Sequence, residues 1–357
     1  MEDGGGRTEA HIVRAHELSE DERRLWEGFR QADEALQSPF LSFGYVEAVA
    51  EVREGVRVCI IERDERVVAF FPYQLAGPWR AALRHGEPVG GSLTDAFGLI
   101  AATGFMTEPL ALLRLARLSC LSFTHLLQAQ ARFGLTGTRT EAGLGIDLAA
   151  GPEGYWSDLR KTKRHFSDDT ARRRSRIAAE VGPLRFQAEE TEPLRLLESL
   201  IANKIEQYRR TGVPNALAPS WTSDLLHILA QRRYVDCRAM LSTLHAGDVW
   251  AASHFGLRSG RVLHWWFPVY DPELAPYAPG RLLLAAMIDA SRALGVTRID
   301  RGTGTQPAKR DFANMPQEFW RGAWWRPGAR GMLARTELSL AWRLRTLAAA
   351  GHRIRSS

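Results

Sequence analysis

The side chains best suited to chemistry gather between Val249 and Lys309. His254 and His264 lie on two runs that read as neighbouring strands, Val249–Leu257 and Arg261–Val269. Across a hairpin they face each other to within one register step. An imidazole that titrates near neutral pH can take a proton from an amine; each histidine also reads as a hydrogen-bonded core residue. Asp300 ends the next apolar run, Val296–Asp300, where it can hold an amine or accept its proton, or else cap the Gly302-Thr303 turn. Lys309 can meet a phosphate or a substrate carboxylate, or stand as a solvated cation. Trp265 and Trp266 point to opposite faces of one strand, so one belongs to the core and the other can line a pocket.

A second chemistry is anion binding. Pro279-Gly280-Arg281 follows a Pro-rich loop and opens a helix. A helix start carries unpaired N–H groups and a partial positive charge. Gly280 lets a phosphate come close, and Arg281 adds a cation, so the site can take a pyrophosphate. A plain helix start is the competing reading. Gly302-Thr303-Gly304 follows a strand without opening a periodic helix, and GxxxxGK[ST] is absent, so dinucleotide-fold and P-loop readings are poor. Cys59, Cys120 and Cys237 are widely spaced and read as reduced core thiols. No HExxH, CxxC or EF-hand spacing implies a metal.

The elements that must position these groups are legible as patterns. In the second half a strand at Leu184–Ala188 precedes a helix from Pro193 to about Arg210 and another over Trp221–Arg232 with Ser220 as cap. A three-strand meander follows, Cys237–Leu244, Val249–Leu257 and Arg261–Val269, turning at Gly247-Asp248 and Ser259-Gly260. A helix runs from Arg281 to Leu294 and stops at Gly295. The strand Val296–Asp300 must return beside the meander. Phe319–Trp325 is another strand, and Leu333–Ala350 a basic amphipathic helix. In the first half the opening ten residues read as loose. Glu20–Arg30 is a helix capped by Ser19, and Phe43–Ala50 is a short one. Val56–Arg63 and Arg66–Phe71 form a hairpin about Asp64-Glu65. Gly-rich loops, a helix at Leu110–Leu118 and a strand at Ser122–Leu127 follow. Helices and then a polar-turned hairpin occur in both halves, which suggests a duplicated unit.

Between the halves, Tyr155–Arg176 reads as one charged bridging helix. Eight cations fall within 17 residues there: Arg160, Lys161, Lys163, Arg164, Arg172, Arg173, Arg174 and Arg176. They suit RNA or nucleotide phosphates, or pair with acidic side chains on a solvent-facing helix. Aromatics for base stacking are sparse, at Tyr155, Trp156 and Phe166.

The chain has 357 residues, 45% hydrophobic and 25% charged, with 31 Gly and 17 Pro. It can bury a core of about two domains, which excludes a mostly disordered chain, a collagen repeat and a disulfide scaffold. The net charge of +6 favours anionic partners without choosing among them. The N-terminus lacks the basic start and apolar run of a secretory signal. The best apolar run, Ala96–Met106, is too short to span a bilayer. A soluble, cytoplasmic protein is expected.

The stretch PVYDPELAPYAPGRLLLAAMIDASRALGVTRIDRGTGTQPAKRDFAN, with its flanking strands, resembles the acetyltransferase-like domain of the CelD/BcsL-type proteins in the GNAT superfamily. That group is similar to the two-domain FemABX enzymes. The resemblance rests on Tyr277-Ala-Pro-Gly280, the helix end Leu294-Gly295, Ile299-Asp300-Arg301-Gly302 and Lys309-Arg-Asp-Phe312. It is clearest from Tyr155 to Asn314. The family's longer acyl-CoA signature is absent, and Ala275–Gly280 supplies one glycine. The resemblance implies an α/β protein of tandem GNAT-like domains with mixed, mostly antiparallel sheets. Residues 10–150 would form a degenerate first domain, 151–180 the basic interdomain helix and 181–350 the acyltransferase domain. It also implies transfer of an acyl group from acyl-CoA (acetyl-CoA or longer), or from an acyl carrier protein, to a primary amine of a small metabolite, amino acid or sugar. Pantetheine would pair along Phe267, Val269 and Tyr270, with pyrophosphate on Ala278, Pro279, Gly280, Arg281 and Leu282. Tyr270 would protonate the leaving thiolate. An aminoacyl-tRNA-dependent transferase and a non-catalytic binding protein on the same fold are the alternatives.

Overall fold

The computed structural model describes residues 7–75 and 77–336. Thirteen strands form one sheet: β1 (Thr8–Val13), β2 (Val56–Arg63), β3 (Arg66–Leu75), β4 (His85–Glu87), β5 (Ile100–Ala101), β6 (Cys120–Leu127), β7 (Arg139–Asp147), β8 (Leu184–Gln187), β9 (Arg238–Ala246), β10 (Val249–Ser259), β11 (Val262–Tyr270), β12 (Arg298–Asp300) and β13 (Met315–Trp325). Their spatial order is β1-β2-β3-β4-β6-β13-β7-β12-β11-β10-β9-β8, with β5 paired to β3. Only β4 with β6 and β11 with β12 run parallel among these pairs. The order is a palindrome of two similar half-sheets, each with an antiparallel hairpin, then a parallel pair. This is the mixed, mostly antiparallel α/β architecture expected.

The half-sheets exchange their last strands. β7, from the first half of the chain, pairs with β12 of the second through Asp147↔Arg298 and Ile146↔Ile299. β13, from the end of the described chain, pairs with β6 from Cys120 to Leu127 and with β7 from Arg139 to Gly145. The exchange joins the halves in the middle of the sheet.

Local chemistry explains most elements. Ser19 and Glu22 form a capping box at the helix Glu20–Gln31. Asp64 and Glu65 both take positive φ, the geometry that matches strand twist in a two-residue hairpin. Gly295, at φ 66°, ends the helix Pro279–Leu294. Four expectations need correction. Thr8–Val13 is a paired edge strand rather than loose chain. Arg139–Asp147 is a strand with no counterpart in the sequence reading. Ser220 lies inside its helix, which is capped at Pro219. The basic stretch is two helices, Gly151–Thr162 and Arg164–Glu180. They break at Lys163, whose ammonium is drawn to the carbonyls of Arg310, Asp311 and Ala313 at the end of the helix Pro307–Phe312. Residues 329–336 are helical, and the rest of the expected Leu333–Ala350 helix lies outside the described residues.

Two apolar clusters cover the sheet. One holds Trp26, Phe40, Tyr45, Phe70 and Phe71 with Leu197, Leu200, Leu225 and Phe255. The other gathers Ile146, Tyr155 and Ile177 with Trp265, Leu283, Met287 and Ile299. Cys59, Cys120 and Cys237 are buried and form no disulfide. Burial pushes Cys59 and Cys237 up to about 12. No helix among the described residues is long and apolar enough to cross a membrane.

Candidate active site

The parallel pair β11–β12 is short. Val262, Leu263 and His264 lie opposite Arg298, Ile299 and Asp300, where β12 ends. β11 runs on to Tyr270 paired with β10 alone, so its other edge opens from His264 onward. A bulge sharpens this divergence. Phe255 pairs with Phe267 and Leu257 with His264, so Trp265 and Trp266 together oppose Gly256. Trp265 joins one core cluster and Trp266 packs on the other, the opposite-face placement expected.

The bulge explains His254. Its ring stacks on Trp265 at 3.6 Å, and its Nε2 accepts the Trp266 N–H at 3.3 Å. Nδ1 meets Ser242 Oγ at 3.3 Å. Burial holds its pKa well below the ordinary histidine value. His254 thus serves the backbone donor freed by the bulge, and both its nitrogens are engaged. That removes it as the base.

His264 stands at the vertex. It is fully buried, and the Phe40 ring meets it edge-on at 4.7 Å. Its Nε2 lies 3.0 Å from Asp95 Oδ2. Neither ring nitrogen has an aligned hydrogen-bond partner among the described residues. Buried polar atoms without partners are rare, and functional sites account for part of them. His125 Nε2 lies 3.6 Å from Asp95 Oδ1 and 3.1 Å from Thr303 Oγ1. Burial works to raise the Asp95 carboxyl. The His264 contact and charge, then His125 and Lys309, outweigh it and hold the carboxyl below its usual value. Burial lowers His125, with Asp95 opposing. The Asp95 and His125 side chains are 27% and 14% exposed, so this flank of the vertex opens to solvent.

Asp95 arrives by an interruption in the first half-sheet. β4 and β5 both run antiparallel to β3, at Gln74–Leu75 and at Ala69–Phe70. They form one strand broken by residues 88–99. Phe97 of this excursion pairs with β6, accepting from the Leu127 N–H and donating to the His125 carbonyl. The excursion thus lies beside β6, where an open edge would match that of the second half, and carries Asp95 across to His264. Gly302 (φ 62°) makes room, since a Cβ there would come within 2.5 Å of Asp95 Oδ2.

The other expected site residues fall into place unevenly. Asp300 is buried and accepts the Gly302 N–H at 3.1 Å, so it caps the turn. Lys309 donates to the Arg301 and Thr303 carbonyls beside the vertex. It is half-buried and spends its ammonium on these two carbonyls. Tyr270 lies against Gly280, where an added Cβ would meet its ring at 3.6 Å. Five residues of bulged strand separate it from His264, about 17 Å by the β10 register, so Tyr270 and His264 cannot serve the same reacting atom.

The Asp271 N–H bonds to the Ala251 carbonyl. By alternation Phe267 and Val269 turn their backbone groups toward β10, and the open edge is presented by Pro268 and Tyr270. This corrects Phe267 and Val269 as backbone partners for a ligand on that edge. Pro268 has no N–H, and its carbonyl accepts Lys204 Nζ at 3.0 Å. At the helix start, Ala278 is left-handed, Pro279 lacks an N–H, and the Arg281 and Leu282 N–H groups return to the Ala278 carbonyl. Arg281 is already engaged: Asp169 Oδ2 pairs with it at 2.7 Å and Phe166 stacks under it. Asp169, pulled down to about 2 by Arg173 and then by Arg172 and Arg281, keeps its charge there. Most of the basic stretch is engaged in the same way, through Arg174–Asp289, Arg176–Glu180 and Lys161–Asp158.

Residues 164–310 match the family model of the GNAT acetyltransferase domain. No curated protein sequence matches the chain. Among solved structures, FemX is similar over 88% of this chain and 96% of its own, with TM-score 0.56 and 10% identity. The C-terminal domain (DUF2156) of a provisionally named lysylphosphatidylglycerol synthetase from Agrobacterium fabrum is similar over 89% of this chain and 97% of its own, with TM-score 0.51 and 13% identity. A tandem GNAT protein from the clavulanic acid biosynthesis pathway covers 90% of this chain and all of its own, with TM-score 0.49 and 12% identity. The likeness at these identities is one of fold.

Proposed function

We propose that the chain is an N-acyltransferase that joins an acyl group to a primary amine at the vertex between β11 and β12. The observation that carries this reading is the Asp95–His264 contact at the point where the two strands part. His264 takes the proton that the amine loses as its nitrogen bonds to the acyl carbon. Asp95 balances the imidazolium so formed. The proton passes to the leaving atom as the acyl carbon's bond to it breaks. Asp300 and Lys309 shape the turn behind this pair. The donor we place first is a thioester, on CoA or on an acyl carrier protein, with the Gly280 N–H and Tyr270 as its contacts at the far end. The acceptor is a small metabolite, amino acid or sugar.

A second reading, transfer from aminoacyl-tRNA, draws on the helix start. Gly280 is the one first-turn N–H not turned back to Ala278, and Asp169 occupies the cation beside it. A nucleotide pyrophosphate finds a thin cradle there. Titration calorimetry with CoA and acetyl-CoA, repeated on Gly280→Trp, separates the donors. Binding that the variant abolishes supports a free CoA donor. No binding to the native chain removes it and turns the donor screen to carrier proteins and aminoacyl-tRNA.

A further inference from the structure

Lys204 lies on the helix Pro193–Thr211 in the stripe Leu197, Leu200, Ile201 that faces the core. It is itself buried, at 8% exposure. A lysine in such a stripe normally carries its ammonium out to water. This one turns inward to the open edge of β11. Its Nζ donates to the Pro268 carbonyl at 3.0 Å and to Gln207 Oε1 at 3.1 Å, and it sits 5.2 Å from the centre of the Tyr208 ring. Two neutral oxygens thus take two of its three N–H groups. Burial lowers its pKa to about 8, with no acidic neighbour offsetting the effect. Buried charges are ordinarily paired.

We infer that Lys204 is a specificity determinant at the open edge of β11, receiving a carboxylate carried by the substrate that lies along that edge at Pro268. The inference rests on the acyl-transfer reading for the identity of that substrate. The chemistry of the edge selects the group. Pro268 offers no N–H, and its carbonyl is already taken, so a neutral amide chain finds nothing to pair with at this residue. One ammonium with one remaining N–H matches a monoanion, whereas a phosphate dianion calls for more than one cation. The neighbouring His254 is held neutral by burial and adds none. Across the bulge, Pro268 is three β10 steps from His264, about 10 Å along the strand, so the carboxylate is remote from the reacting atom. It belongs to the far end of the acyl group or to the far end of the amine.

Paired probes test this without turnover. Calorimetry compares 6-aminohexanoate with hexylamine for a carboxylate on the amine. It compares the succinyl and butyryl thioesters of N-acetylcysteamine for one on the acyl group. In the native chain the acid of at least one pair binds about tenfold tighter or more, the scale of a charged hydrogen bond. Lys204→Gln, which keeps a donor for Pro268 without the charge, abolishes the preference, and Lys204→Arg restores it in part. The pair that discriminates identifies the source. Absence of preference in the native chain, or a preference that survives Lys204→Gln, overturns the inference. If Lys204→Gln does not fold, protection of Lys204 from acetic anhydride by the acid probe, and not by its neutral partner, replaces it as the readout. Discrimination without any acyl transfer leaves Lys204 as a carboxylate receptor and removes the reaction.

Discussion

Asp95 and His264 come from opposite halves of the chain and meet at 3.0 Å. Replacing Asp95 with Asn keeps the shape and removes the charge that balances an imidazolium. Acyl transfer should fall by about 10²–10⁴-fold, the range for loss of general-base function, with the thermal midpoint little changed. Steady-state rates beside a melting curve check this. An unchanged rate would sink the assignment of His264 as base.

Gly302 supplies a second handle on the same pair. Its φ of 62° disfavours a side chain, and a Cβ there would meet Asp95 Oδ2. Gly302→Ala should cost about 1 kcal/mol or more in stability. It should also push Asp95 off His264, so that the rate falls toward that of Asp95→Asn. Combining the two changes should give little further loss of rate.

His254 predicts a pH dependence of stability. Its folded pKa lies well below the unfolded value, because burial disfavours the charged ring. The unfolded chain therefore binds the proton more readily. Its contribution is fully present above about pH 6.5, the unfolded value, and is lost as pH falls below that toward the folded pKa. His125 shifts in the same direction. Urea unfolding from pH 8 to pH 5 should show this decline, and His254→Gln should flatten it.

Arg30 braces the halves from within the core. Its guanidinium donates to the carbonyls of Leu36 and Ser38, to Ser259 Oγ in the second half at 2.7 Å and to Glu27. Arg30→Met should cost about 3–5 kcal/mol, as expected when one partner of a buried charge network is lost. The segment bearing Phe40 should loosen over His264. Denaturant unfolding and activity, read together, test both effects.

Much of the framework was legible because its causes are local. The hairpin at Asp64-Glu65, the Ser19 cap, the Gly295 stop and the meander each follow from a few adjacent residues. The vertex was half legible. His264 was named from strand spacing, but Asp95 and His125 were not, since no periodicity marks a carboxylate delivered by a broken strand. The Gly90-Gly91 turn ahead of Asp95 was the one local sign of an excursion. Arg139–Asp147 was missed because its glycines weaken strand propensity and its partners lie far along the chain. His254 looked like a base because the bulge that consumes its nitrogens depends on register.

The exchange of β7 and β13 sets a timetable for biosynthesis. When the ribosome has released β6, the strand that will cover its free edge is nearly two hundred residues from being translated. The first half must wait with exposed backbone, a condition that invites pairing with other chains. Residues 10–150 made alone would keep that edge for good and would also hold β7 with no sheet to enter. Separately expressed halves should thus recover the native sheet only when they meet while still unfolded.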